Sequence, residues 1–183
     1  MNVQISALLT KVILMLFLVV LASLLIFGII RLVRLFQKLK ELNRPEIIKY
    51  YFLMIFCLFV MIPSWIFNIG WYRLILTFLA FPVIHYVLFA IINGKAMLKL
   101  FLSKKLKIYT LLSYVTYIIF YLSFPDGGDY GPMYVFFGLI NNNNAAKIAG
   151  ALCLISIIAH IIIAILQLIE IGKIKSNESL TNQ

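Results

Sequence analysis

Five long runs without a single charged residue divide this chain: Val12–Ile30, Tyr50–Tyr72, Leu74–Gly94, Ile108–Pro125 and Ile148–Ile169. Each approaches or exceeds the roughly 18–20 residues that a helix needs to cross a hydrocarbon core about 30 Å thick. Helix is the conformation such runs must take, because lipid offers no partner to an open backbone N–H or C=O. Strands of a membrane barrel would be about 10 residues long and strictly alternating, and these runs are neither. The chain is 64% hydrophobic and 12% charged, with a mean hydropathy of +1.06. A water-soluble fold of that composition would expose too much apolar surface. The expectation is an all-α, polytopic transmembrane bundle, one integral membrane domain over residues 1–183. Its five spans fall at about 10–30, 50–71, 73–93, 108–124 and 149–170.

The sixteen Lys and Arg residues orient the bundle. Arg31, Arg34, Lys38, Lys40, Arg44 and Lys49 occupy the first gap between runs. Lys95, Lys99, Lys104, Lys105 and Lys107 occupy the third, and Lys173 and Lys175 the tail. Only Lys11, Arg73 and Lys147 fall in the alternate segments. Cytoplasmic loops carry the basic excess, so the chain reads as N-out and C-in. The net charge of +10 then serves topology and contact with anionic headgroups rather than nucleic acid. The first run has no basic leader and no A-x-A site, and Arg31 and Arg34 follow it as a stop-transfer flank. It therefore reads as a retained span. Cys57 and Cys153 lie inside runs, where they act as small apolar packers rather than disulfide partners.

The first gap is itself patterned. Leu32, Leu35, Phe36, Leu39 and Leu42 recur at helical spacing among the basic residues. This predicts a basic amphipathic helix on the inner surface, ended by Asn43-Arg44-Pro45-Glu46, where Asn43 and Glu46 fit a capping box. Arg31, Arg34, Lys38, Lys40, Lys104 and Lys105 form the expected lipid-facing basic patch. A docking surface for a cytoplasmic partner is the sharper alternative. Tyr50, Tyr51, Trp71, Tyr72, Tyr109, Tyr121, Tyr130 and Tyr134 sit near run ends and suit an aromatic belt. Gly70 marks a tight hairpin between the second and third spans, and Pro63 and Pro82 should kink them. Met133–Ile140 is apolar but too short to span, so it is expected to lie at the interface or to re-enter. Asn141–Asn144 reads as a solvated outer loop.

Few residues offer chemistry. His85 and His160 fall near the centres of two parallel spans, at one depth. An intramembrane ionisable group is a functional hypothesis by default. The pair suits a metal or haem, a proton relay, or neutral imidazoles bonded across helices. Polar residues also recur along single faces: Cys57, Met61, Ser64 and Asn68; Thr110, Ser113, Tyr114, Tyr117 and Tyr121; Ala149, Cys153, Ser156, His160, Ala164 and Gln167. Such faces turn toward protein, as a polar pathway or as packing with interhelical hydrogen bonds. His85, His160, Asn68 and Ser156 make up the candidate intramembrane site. Asp126 and Asp129, in the Pro- and Gly-rich loop after Phe124, are the candidate outer site, although that loop is first a turn and lacks an EF-hand pattern. Glu170 is expected to snorkel toward Lys173 or Lys175.

No zinc-protease, nucleophile-elbow or phosphate-loop motif is present, and there are no paired intramembrane carboxylates or inverted halves. The expected function is a non-enzymatic multi-pass membrane protein that acts by binding: an accessory subunit, an immunity-type protein or a permease component. No cofactor and no metal are expected. Its partners would be the anionic inner leaflet and another membrane protein. Short loops suit a bacterial plasma membrane. The alternatives are a small transporter or channel using the polar faces of spans two to five, and a redox or metal protein built on His85 and His160.

Overall fold

The computed structural model describes residues 19, 22–23, 26–39, 41, 45–67, 70–126 and 133–181, and among them the chain is helical with no strand. Helix α1 covers residues 26–39 of the described stretch. It is followed by α2 (Pro45–Phe67), α3 (Trp71–Phe78), α4 (Phe81–Met97), a 3₁₀ turn at Leu100–Leu102, α5 (Lys104–Ser123) and α6 (Asn143–Thr181). Three helices are long and apolar enough to cross a membrane: Ile47–Phe67, Lys104–Ser123 and Asn143–Ser176. The pair α3 and α4 supplies a fourth crossing if its two halves form one span. Most of the expected first span lies outside the described residues, as do Asn43 and Arg44 of its expected boundary.

The core is mostly apolar but takes in polar side chains, and the exterior is apolar where that of a water-soluble protein is polar. Ser64, Arg73, Asn93, Thr110, Ser113, His160 and Gln167 are buried, whereas Phe59, Phe78 and Leu139 are 69%, 75% and 82% exposed. Helix α2 shows how this arises. Met54, Cys57, Met61 and Ser64, spaced by three or four, face inward, while Phe52, Phe56, Phe59, Ile62 and Ile66 are exposed. The most extensive helix contact is α5 on α6, with α2 against α5 next. Helix α1 crosses α4 where glycine permits it: Gly28 meets Val87 and Gly94 meets Leu35. Along α1, Leu32, Leu35 and Leu39 are buried while Arg31, Arg34 and Lys38 are exposed, and the helix runs without a break from the end of the apolar run into the basic stretch.

Three local expectations are corrected, and the conformation of a fourth segment is defined. The third span is not a single kinked helix but two, bent by 67°. Ala80 sits in the left-handed region (φ 51, ψ 25) and Pro82 opens the first turn of α4. The proline lacks an N–H for the preceding turn, and the left-handed residue before it turns the chain. Residues 133–140 are not helical. Asp126 pairs with Tyr134 and Val135 with Ile140 in isolated bridges, and the turn between runs through Phe136, Phe137 and Gly138, all at positive φ. Val135 is buried against Ala146 and Ala149, so this segment is seated against α6. The Asn tetrad is not all loop. Asn142 Oδ1 accepts from the Asn144 and Ala145 amides at 2.8 and 3.3 Å, capping α6. Finally, α6 is 39 residues long, about 58 Å at 1.5 Å per residue, so it overruns the expected fifth span at both ends.

Candidate functional site

Hydrogen bonds between α4, α5 and α6 form a polar seam through the bundle. At one end Ser103, which caps α5 by accepting from the Leu106 amide, donates to Glu170 Oε1 at 2.6 Å. Glu170 is therefore held by α5's cap. One level along, Gln167 Nε2 donates to Asn93 Oδ1 at 3.0 Å and to Thr110 Oγ1 at 3.2 Å. Asn93 Nδ2 donates to Ser113 Oγ at 3.1 Å and to the Phe89 carbonyl at 2.9 Å. These four side chains tie all three helices together.

The expected histidine pair comes next and is brought together. The His85 and His160 rings lie edge to face, 5.3 Å between centroids. His85 also stacks on Tyr117 at 5.0 Å and on Phe81 at 5.4 Å. His160 Nδ1 lies 3.1 Å from Thr116 Oγ1. That hydroxyl is 2.9 Å from the Leu112 carbonyl, which only accepts. The Ser113 carbonyl lies 3.1 Å from the same hydroxyl, so Thr116 Oγ1 has three neighbours for its one proton. His85 Nδ1 is 3.0 Å from Tyr121 Oη, while its Nε2 is buried without a partner among the described residues. Tyr114 Oη, Gln167 Oε1 and Arg73 Nε share that condition.

At the other end the seam closes on Arg73, only 1% exposed. Its Nη1 donates to the Ser64 carbonyl and its Nη2 to the Phe124 carbonyl at 2.7 Å. Ser64 Oγ in turn donates to the Tyr121 carbonyl. The guanidinium stands 5.2 Å from the Trp65 ring and 5.1 Å from that of Phe124. Arg73 thus binds the end of α2 and the end of α5 to the first turn of α3. Asp126 completes this end. It is buried, and its Oδ2 accepts from the Arg73 backbone N–H at 2.7 Å. Helix α3 begins after Gly70, which has no side chain to cap it, so Asp126 supplies the cap from a distant segment.

The remaining expected residues sort as follows. Ser156 is buried but bonds to its own helix, donating to the Leu152 carbonyl, with the Cys153 carbonyl at 3.1 Å. It does not join the seam through these bonds. Asn68, Asp129 and Lys40 lie outside the described residues. Arg31, Arg34 and Lys38 are exposed on α1, and Lys104 and Lys105 on the first turn of α5. Asn93 and Arg73 were not among the sequence candidates. Each carried a signal: Asn93 is a lone amide at the end of an apolar run, and Arg73 breaks the charge parity. For metal chemistry the seam is short of donors. No group of three His, Cys, Asp or Glu side chains comes together among the described residues, and most metal sites need at least that many protein ligands. No protein-family model matches the chain, and no significantly similar curated protein or solved structure was found.

Proposed function

We propose that the chain is a five-span membrane protein, N-out and C-in, that acts by binding rather than by catalysis. In this reading it is an accessory subunit, an immunity-type protein or a permease component of a plasma membrane. The observation that supports it most is the sorting of residues at the two ends of the seam. Segments that charge parity assigns to the cytoplasmic side meet at one end: Ser103 bonds Glu170, and Lys95 shares a cavity with Arg31, Arg34 and Lys38. Segments assigned to the outer side meet at the other, where Arg73, Phe124 and Asp126 converge. Charge parity uses no contact information, and these contacts use no charge rule, so their agreement supports the topology independently. Between the ends the polar groups are spent largely on one another, which suits a scaffold whose rims do the binding.

Single-cysteine labelling in intact cells tests the topology. Cysteines at Asn141 and at Lys104 should label from opposite sides; labelling of both from one side refutes it. The native mass after gentle extraction tests the binding role. A particle larger than one chain, carrying other proteins, supports it, and a bare monomer removes it. A second reading is favoured by the unpartnered His85 Nε2 and Gln167 Oε1, which line the same seam. In that reading the seam passes protons or a small polar solute. Proton or solute flux in liposomes that is lost in His160→Leu supports it, and no flux in the wild-type chain removes it.

A further inference from the structure

The structure brings four cations from two helices around one cavity. Arg31, Arg34 and Lys38 recur along one face of α1, and Lys95 stands at the end of α4. The cavity between them holds about 300 Å³, and its floor is apolar, formed by residues that include Leu35 and Ile91. No carboxylate lines it among the described residues. Gly94 keeps it narrow: the absence of a side chain there lets Leu35 lie directly on α4, so the basic faces of the two helices share one mouth.

We propose that this cavity is a binding site for the headgroup of an anionic phospholipid, one with two phosphates in preference to one. The inference rests on the membrane reading and deepens it, by naming a ligand and a place. Three features select the class. Four like charges around one small volume need a multivalent anion to offset their mutual repulsion. Arginine forks match phosphate oxygens in pairs, while the lysines act as mobile point charges. The apolar part of the lining, with exposed Phe27, Ile30 and Leu88 one helical turn from Arg31, Arg34 and Ile91, gives acyl chains a surface that a soluble phosphate compound does not need. Basic pockets between membrane helices on the cytoplasmic side recognise such headgroups. Lys104 and Lys105, although equally basic and exposed, do not line the cavity and belong to the general surface charge.

The test uses the full chain reconstituted in phosphatidylcholine vesicles with either phosphatidylglycerol or diphosphatidylglycerol, matched for total charge. Lipid retained through mild detergent extraction is then counted by native mass spectrometry. The diphosphatidyl lipid should be retained at about one per chain and in excess over the singly charged lipid. Arg34→Gln/Lys95→Gln should reduce that retention roughly tenfold or more, because it removes two of the four cations around the cavity and one charge-assisted bond to a phosphate is by itself worth about tenfold. Arg34→Lys/Lys95→Arg should keep most of it, and Lys104→Gln/Lys105→Gln should leave it unchanged. Equal retention of the two lipids at matched charge, or equal loss in the two Gln pairs, overturns the site in favour of diffuse surface attraction. Thermal protection by inorganic phosphate alone, equal to that by lipid, assigns the cavity to a soluble phosphate compound and overturns the lipid. The labelling pattern of Lys104 and Asn141 cysteines in the same vesicles separates failure of the site from failure of the membrane topology.

Discussion

Asn93 is the residue whose loss should cost the seam most per atom removed. Its Nδ2 reaches Ser113 on α5 and its Oδ1 accepts from Gln167 on α6. Asn93→Leu therefore deletes two bonds between helices in one step. Interhelical hydrogen bonds in membrane proteins average about 0.6 kcal/mol and reach about 1.7. The expected loss is about 1–3 kcal/mol, the upper part applying because Gln167 Oε1 has no partner among the described residues and the rest of that amide would be left with Thr110. Gln167→Met should cost a similar amount by removing the same bond from the other side. Once either partner is gone the other contributes little to the pair, so the double variant should be less destabilised than the sum by about 1 kcal/mol.

The assay is reversible unfolding in mixed micelles by titration with sodium dodecyl sulfate, followed by far-ultraviolet circular dichroism. The four chains of the cycle are measured under one set of conditions. Additive single effects, within about 0.3 kcal/mol, would refute the reasoning. They would mean that Asn93 and Gln167 are each buried for packing and that the 3.0 Å contact carries no coupling.

Three further outcomes follow from the same contacts. A methyl group at Gly94 would stand 2.0 Å from Leu35 Cδ2, so Gly94→Ala should lower thermal stability by about 1–3 kcal/mol, and Leu35→Ala in the same chain should recover part of it. Asp126→Ala removes the only side chain seen to cap α3 among the described residues and the negative charge beside buried Arg73; the melting temperature should fall by an amount equivalent to about 0.5–2 kcal/mol or more, and Asp126→Asn, which keeps an acceptor but not the charge, should recover only the part due to the cap. Ala80→Gly should be neutral or stabilising by up to about 1 kcal/mol because Ala80 is left-handed at φ 51, whereas a loss of about 1 kcal/mol would show that α3 and α4 form a continuous helix.

Depth along the helices is readable from this sequence, because rise per residue is constant and the runs have clear ends. His85 and His160 are expected at one level on that ground, and their rings are 5.3 Å apart, although the 67° bend between α3 and α4 takes the first part of His85's run off the axis that a constant rise assumes. The side of each helix is readable too, since a polar group in an apolar surround must face protein. Thr110, Ser113, Tyr117 and Tyr121 on α5, and Cys153, Ser156, His160 and Gln167 on α6, are all buried. Which group meets which across the interface depends on crossing angles that no local pattern encodes. Thus Gln167 is expected on the seam, but its bond to Asn93 is not. The break at Ala80 is hidden for a different reason: alanine favours helix, and Pro82 alone reads as a kink. The two described exceptions to the charge parity show where the rule carries more information. Lys147 is exposed on the first turns of α6, the ordinary fate of a stray cation. Arg73 is fully buried, held by two carbonyls and two aromatic faces. A cation on the disfavoured side, directly beside a tight turn and two aromatic residues, can satisfy its donors with the carbonyls that helix ends leave open. The residues that break a topology rule are therefore those to examine first for structural roles.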